Sequence, residues 1–269
     1  NQPTTVTPLQ LIILALIQGI SEFLPVSSSA HLILVGQFST WGDQGLAFDA
    51  AVHAGTLTAV VVYFRSELMA LARAGLDRHG DPVQRRLLAG LAVATLPALL
   101  VGALAADFIE IWLRSPLVIA ATTIGFGLVL WLADRFGAGK RRLETLDTRG
   151  ALFIGLAQVL ALVPGTSRSG VTITAALALG LEREAAARYS FLLSIPIIAA
   201  AGGWGFFNGL ADGGSFEFGR FLVAATISGL FAWLTIAAFL AWLRRFGMAP
   251  FVVYRLILGV FLMYWFWPV

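Results

Sequence analysis

Hydrophobic residues fall into ten runs along the chain, separated by short stretches that carry most of the charged residues. Six runs are long enough to cross a bilayer as helices, which takes about 20 apolar residues. These six cover residues 48–64, 84–105, 116–134, 186–207, 219–243 and 249–267. Four shorter runs form two pairs, 8–24 with 29–38 and 150–163 with 171–180. The pattern predicts an all-α polytopic membrane protein with ten helices.

Proline followed by small hydroxyl residues interrupts each short pair. The first break reads Pro25-Val26-Ser27-Ser28-Ser29, and the second reads Pro164-Gly165-Thr166-Ser167-Arg168-Ser169-Gly170. Since neither member of a pair comfortably spans the membrane, each pair is predicted to form a re-entrant helix–loop–helix. Irregular backbone at membrane depth is tolerated where protein or a water-filled cavity satisfies it. Two such loops therefore predict a shared polar cavity.

The order of segments repeats, because each half has one broken hairpin followed by three crossings. We predict a single membrane domain over 1–269, with repeat 1 at about 7–135 and repeat 2 at about 149–269. A hairpin returns to its own side and three crossings then end on the other side. The second hairpin is therefore expected to enter from the opposite face, which gives an inverted-topology repeat. Interrupted segments in corresponding halves of such proteins point to the binding site.

Composition and loop charge exclude several classes of protein. Only 12% of the 269 residues are charged and 58% are hydrophobic, which excludes a soluble enzyme. Fourteen of the 18 Lys and Arg residues fall in connections on one side, against Arg114 and Arg220 on the other. The positive-inside rule makes the first side cytoplasmic, so both ends of the chain and the entrance of the first hairpin are expected outside. No basic stripe with interleaved aromatic residues indicates nucleic-acid binding.

Few ionisable residues remain inside the predicted membrane segments, and such residues are functional candidates by default. They are Glu22, His31, Asp49, His53, Arg168 and Arg255. Gln18 and Glu22 share one helix face, and three serines and His31 follow within a short stretch. This set can activate a hydroxyl nucleophile and move a proton. The second break adds Arg168 between serines and glycines, a composition suited to phosphate oxygens.

Each candidate also has a simpler interpretation. Glu22 could pair with Arg168 only to hold the hairpins together, and the serines could only cap the second half-helix. His31 could be a hydrogen-bonded core residue, or the nucleophile itself. Asp49 and His53, four residues apart, fit either a metal or substrate contact or a plain polar patch. Arg255, six residues into the last helix, is expected to snorkel to the cytoplasmic interface.

The motif residues carry a family resemblance. Gln18-Gly19-Ile20-Ser21-Glu22-Phe23-Leu24-Pro25-Val26-Ser27-Ser28-Ser29-Ala30-His31, followed by Pro164-Gly165-Thr166-Ser167-Arg168-Ser169-Gly170, resembles the undecaprenyl-diphosphate phosphatase (bacitracin-resistance) family. The resemblance implies hydrolysis of a C55 isoprenyl diphosphate to the monophosphate, which recycles the lipid carrier of cell-wall synthesis. It also implies an active site on the periplasmic side of the bacterial inner membrane and a divalent cation, Mg²⁺ or Ca²⁺.

Residue roles follow from the resemblance by position. It implies catalytic roles for Glu22, Ser28, His31 and Arg168, with Glu22 also a metal ligand. Ser27 and His31 remain alternatives to Ser28 as nucleophile. The expected substrate-binding residues are Gln18, Ser27, Ser29, Ser167, Ser169 and Thr172. Gln18 stands where many relatives have Glu, so this chain has one carboxylate fewer for the metal.

The resemblance and the architecture leave a second function class open. Inverted repeats with broken helices are typical of transporters, so the alternative is a secondary transporter or flippase of a lipid phosphate. The nearby carboxylate, serines and histidine favour the phosphatase, because transport alone needs no nucleophile. The expected partners are the polyisoprenyl diphosphate and membrane lipids, with no nucleic acid, and a homodimer is left open.

Overall fold

The computed structural model describes residues 7–39, 41, 45–77, 80–211 and 218–267, and those residues contain no β-strand. They form eleven α-helices, together with short 3-10 and π turns. The helices are α1 (Pro8–Ser21), α2 (Ser28–Phe38), α3 (Leu46–Tyr63), α4 (Arg65–Leu76), α5 (Pro82–Trp112), α6 (Pro116–Leu132), α7 (Thr148–Val159), α8 (Arg168–Ala178), α9 (Arg183–Ala211), α10 (Phe218–Leu243) and α11 (Ala249–Phe266). The all-α architecture predicted from the hydrophobic runs is confirmed.

Long apolar helices make the chain a multi-pass membrane protein. Among the described residues, α5, α6, α9, α10 and α11 are each long and apolar enough to cross a membrane. A sixth crossing is counted only when α3 and α4, which meet at an angle of 77°, are taken together. The four short helices α1, α2, α7 and α8 lie where the paired runs predicted them.

The count of ten helices was wrong by one, because α4 occupies a stretch read as a connection. Its charges at Arg65, Glu67 and Arg73 made it look like a loop. The helix buries Leu71 and Ala74 and packs against α5. It is therefore an amphipathic helix. Its polar face interrupts the apolar residues, so it does not form a continuous hydrophobic run in the sequence.

The second half-helix of each hairpin begins in the same unusual way. Ser27 precedes α2 with φ 74°, and Ser167 precedes α8 with φ 73°. Among the described residues these are the non-glycine positions with positive φ. Each serine hydroxyl accepts the backbone N–H three residues later, from Ala30 at 3.4 Å and from Gly170 at 3.1 Å. The two breaks thus share one backbone conformation and one cap.

The hairpins pack across the boundary between the halves. The first half-helix α1 lies against α10, and α7 lies against α5. Glycine permits both close approaches, since a Cβ at Gly19 would lie 2.5 Å from the Ser228 carbonyl oxygen, and one at Gly155 would lie 2.5 Å from Ala94 Cα. Helix α3 contacts α9, its counterpart in the other half, and α6 likewise contacts its counterpart α11. These contacts between corresponding helices support two related halves. The inverted orientation of the halves stays a prediction.

Candidate active site

The two break loops meet through an ion pair. Arg168 is the first residue of α8, and Glu22 directly follows the end of α1. Arg168 Nη2 donates a hydrogen bond to Glu22 Oε1 at 2.9 Å. The two side chains are only 12% and 8% exposed. The carboxylate and guanidinium predicted at separate breaks therefore belong to one site.

Ser28 is hydrogen-bonded to the same carboxylate. Its Oγ donates to Glu22 Oε2 at 2.7 Å, and Gln18 Nε2 donates to that oxygen at 3.0 Å from one turn earlier on α1. A serine whose proton points at a buried carboxylate has the geometry of a nucleophile with its general base. Ser27 has no such contact, because its Oγ lies 3.3 Å from Ser29 Oγ and caps α2.

His31 lies behind this pair and supports the turn. Its Nδ1 lies 2.6 Å from the Ser27 carbonyl oxygen, and its Nε2 lies 2.5 Å from the Tyr254 hydroxyl. A carbonyl oxygen only accepts, so Nδ1 carries the hydrogen and Nε2 accepts from Tyr254. Both ring nitrogens are thus engaged away from Glu22 and Ser28. Tyr254 was missed from the sequence, because a tyrosine in an apolar helix resembles any interfacial aromatic residue.

Arg168 is held in place from a third element. Its Nη1 donates to the Ser190 carbonyl oxygen on α9 at 3.2 Å, and its guanidinium carbon lies 5.8 Å from the centre of the Phe23 ring. Thr172 Oγ1 lies 2.7 Å from Ser190 Oγ, so it ties α8 to α9 at this point. These contacts fix the guanidinium before any anion binds.

Ser169 connects the second loop to the first. Its Oγ donates to the Leu24 carbonyl oxygen at 2.7 Å and lies 3.2 Å from Ser167 Oγ. The serines flanking Arg168 therefore have different surroundings, since Ser167 faces the cavity described below and Ser169 is a buried link between loops.

Arg255 contradicts the expected snorkelling, because its side chain is 0% exposed. The guanidinium donates to five backbone carbonyl oxygens at 3.0 to 3.4 Å, drawn from both breaks and from α6. The acceptors belong to Pro25, Thr122, Thr123, Gly165 and Thr166. The prediction failed because it used only the distance along α11 to the interface. Both re-entrant loops cover that part of the helix and present backbone carbonyl groups to it.

A cavity of about 460 Å³ opens beside the ion pair. Its polar end includes the carboxylate, the serines of both breaks and the guanidinium: Glu22, Ser27, Ser28, Ser29, Ser167 and Arg168. His53 on α3 also lines it, and small and apolar residues of α5 and α9 form another wall. The two break loops therefore share a cavity, as predicted, but its polar groups are confined to one end of a mainly apolar pocket.

Four of the sequence-predicted site residues lie behind the cavity wall. Gln18, His31, Ser169 and Thr172 are not among the residues that line it. Each instead bonds a residue that lines the cavity. Gln18 bonds Glu22, for example, and Thr172 bonds the Arg168 carbonyl oxygen as well as Ser190. The direct substrate contacts expected of them stay predictions, and their observed contacts are supporting ones.

The donor groups here fit a cation that is shared with a substrate. Within the described part of the chain, no three His, Cys, Asp or Glu side chains come together to hold a metal. Glu22 provides a carboxylate at the cavity, and Gln18 Oε1 beside it is buried without a hydrogen-bond partner. Mg²⁺ is commonly held by one or two carboxylates, with waters and substrate phosphates as the other ligands.

The chain is similar in sequence to known proteins over nearly its whole length. The model of the family described as bacitracin resistance protein BacA matches residues 11–261. A curated relative from Alcanivorax borkumensis, named undecaprenyl-diphosphatase, is 54% identical over 95% of this chain and 98% of its own. One of the same name from Chromohalobacter salexigens is 52% identical over 96% of this chain and 98% of its own. The chain therefore belongs to the BacA bacitracin-resistance family.

Proposed function

We propose that this protein is a membrane phosphatase that hydrolyses undecaprenyl diphosphate to undecaprenyl phosphate and so recycles the lipid carrier of cell-wall synthesis. The observation that carries the proposal is the Ser28–Glu22–Arg168 arrangement, in which a nucleophile and an anion-binding group each lie within hydrogen-bond distance of the same base. The family and the name shared by its curated relatives support the substrate.

Ser28 Oγ is the nucleophile in this mechanism. It attacks the terminal phosphorus in line, Glu22 takes the hydroxyl proton, and the bond from that phosphorus to the bridging oxygen breaks. The lipid monophosphate leaves with the bridging oxygen and takes up the proton from Glu22. Glu22 then removes a proton from a water that attacks the phosphoserine. Inorganic phosphate leaves, and the same proton restores the Ser28 hydroxyl.

Arg168 stabilises charge on the phosphate oxygens. Its anchors at Ser190 and Phe23 hold the guanidinium at the polar end of the cavity, so little reorganisation is needed when substrate binds. Glu22 would hold a divalent cation together with the substrate phosphates. When bound, that cation supplies further neutralisation of phosphate charge.

The cavity suits a substrate whose tail stays in the membrane. Its apolar wall runs along Leu99 and Ala103 of α5 and Ile197 and Ala201 of α9, which lie from the middle of each helix toward its end. By the positive-inside rule, the loop charges support an outer-side position for the ends of α5 and α9 and for the start of α3. The proposal therefore puts the protein in the bacterial inner membrane with its active site facing the periplasm.

Phosphate release by the purified protein in detergent tests the proposal. The wild type is expected to release phosphate from undecaprenyl diphosphate, and Ser28→Ala, Glu22→Gln and Arg168→Ala are each expected to lose at least about a hundredfold in kcat/KM. Ser66→Ala, at an exposed serine of α4, is the matched control and should match the wild type. Near-normal release by Ser28→Ala would overturn the assigned nucleophile. Absence of release by a folded wild type would instead favour transport, which detergent cannot report.

A further inference from the structure

His53 lies on α3, outside both break motifs, yet it lines the same cavity as Glu22, Ser28 and Arg168. We propose that His53 is a diphosphate-binding residue whose Nε2 forms a hydrogen bond with a phosphate oxygen of the substrate. The inference rests on the proposed function, because it adds a contact to that substrate from a second wall of the site.

The ring of His53 is oriented by its own helix. Its Nδ1 lies 2.6 Å from the Asp49 carbonyl oxygen one turn earlier, so Nδ1 carries the hydrogen and donates it. The backbone of His53 is also engaged, since its carbonyl oxygen accepts from Thr56 Oγ1 at 3.0 Å. This leaves Nε2 as the nitrogen available to a ligand.

The two described histidines form a natural comparison. Both rings donate Nδ1–H to the carbonyl oxygen four residues earlier, at 2.6 Å in each case. Nε2 of His31 is hydrogen-bonded to the Tyr254 hydroxyl, and His31 does not line the cavity. At His53 no described residue bonds Nε2, and the residue does line the cavity. The same local geometry therefore supports a structural histidine in one place and a ligand-facing histidine in the other.

Charge balance gives His53 a ligand of definite chemistry. Among the cavity-lining residues, Arg168 is the permanent cation, and Glu22 already neutralises it. A diphosphate ester brings at least two negative charges into this neutral site. A neutral imidazole nitrogen accepts a hydrogen bond from a protonated phosphate oxygen, and a protonated imidazole donates one to an ionised phosphate oxygen. The hydrogen bond between Nε2 and a phosphate oxygen therefore forms whichever partner brings the proton.

A glycine of α9 faces the base of the His53 side chain. A Cβ added at Gly202 would lie 3.4 Å from His53 Cβ, so this face of α3 packs against backbone rather than against a large side chain. The neighbouring cavity wall contains Ile198 and Ala201, which offer no hydrogen bond that would compete for the imidazole.

Steady-state kinetics with undecaprenyl diphosphate test the contact. His53→Ala is expected to raise KM about tenfold while kcat changes less than about threefold, because one charge-assisted hydrogen bond is lost and the nucleophile is untouched. His53→Gln, which keeps a polar group able to reach a phosphate, should restore KM to within about threefold of the wild type. Thr58→Ala is the matched control, at an exposed residue of the same helix.

Binding of a methylene-bridged isoprenyl diphosphonate separates this inference from the proposed mechanism. Its affinity is measured by calorimetry for Ser28→Ala and for the Ser28→Ala/His53→Ala double variant, so no hydrolysis is needed. A roughly tenfold weaker double variant supports the inference even if Ser28 is not the nucleophile. Equal affinities, or a His53→Ala protein with unchanged KM and an unchanged melting temperature, overturn it. A loss confined to kcat also overturns it, since binding would then be unaffected.

Discussion

Thr122 and Arg255 occupy matching positions, each six residues after the first residue of α6 or α11, and each bonds the proline carbonyl oxygen of the other half's break. Thr122 Oγ1 donates to the Pro164 carbonyl oxygen at 2.7 Å, and Arg255 Nη1 donates to that of Pro25 at 3.1 Å. The last helix of each half therefore closes the re-entrant loop of the other half. The longer arginine reaches both loops, whereas the threonine holds one.

Replacing Arg255 by Met should destabilise the protein strongly, because the hydrogen bonds from its buried guanidinium to five backbone carbonyl groups would be lost, three of them in the irregular backbone of the breaks. We expect the melting temperature in detergent to fall by about 10 °C, corresponding to roughly 3–5 kcal/mol for loss of one member of a buried charged network. The melting temperature of Arg255→Lys should lie between those of the wild type and of Arg255→Met, because one ammonium group cannot reach five acceptors.

Arg245→Met is the control for that experiment, because Arg245 is exposed after the end of α10. Its melting temperature should stay within about 1 °C of the wild type. An Arg255→Met protein as stable as this control would show that the carbonyl groups find other donors.

His31→Asn separates a supporting role of His31 from a nucleophilic one. The Asn amide can still donate to the Ser27 carbonyl oxygen, which His31 Nδ1 does at 2.6 Å. If His31 only holds the turn, His31→Asn should keep at least about a tenth of the wild-type kcat. The kcat of Tyr254→Phe should then stay within about threefold of the wild-type value. A folded His31→Asn protein with no detectable turnover, together with a phosphohistidine trapped in the wild type, would contradict this role.

Substitutions at Ser167 should show that its positive φ costs stability. Ser167→Ala keeps the strained backbone and loses the hydroxyl that accepts the Gly170 N–H, so it should lower stability by about 1 kcal/mol. Ser167→Gly loses the same cap but removes the strain, so the two effects should nearly cancel. Thermal unfolding of both variants measures the difference. An alanine variant more stable than the glycine variant would show that φ carries no cost here.

Residues tied to an unusual local pattern were predictable from the sequence. Glu22, Ser28 and Arg168 stood out because so few polar residues remain in the apolar runs, and the structure brings them into one site. The amphipathic α4 was missed because its charges resemble those of a loop.

Residues whose role depends on contacts far along the chain could not be assigned in advance. Tyr254 bonds His31 from 223 positions away, and Arg255 bonds Pro25 from 230 away. Side-chain type and distance to a helix end carry no information about such partners. The sequence also left His53 open between a metal or substrate contact and a plain polar patch. Only the folded structure shows that this residue lines the cavity.

Arg255 follows both breaks along the chain, and this order has a consequence for biosynthesis. The ribosome completes the first hairpin before it reaches α11, so the Pro25 carbonyl group gains its guanidinium donor only when α11 inserts. The second loop gains its guanidinium bonds at Gly165 and Thr166 in that same step. The support that both re-entrant loops share is therefore completed only after the membrane segments that precede α11 have been made.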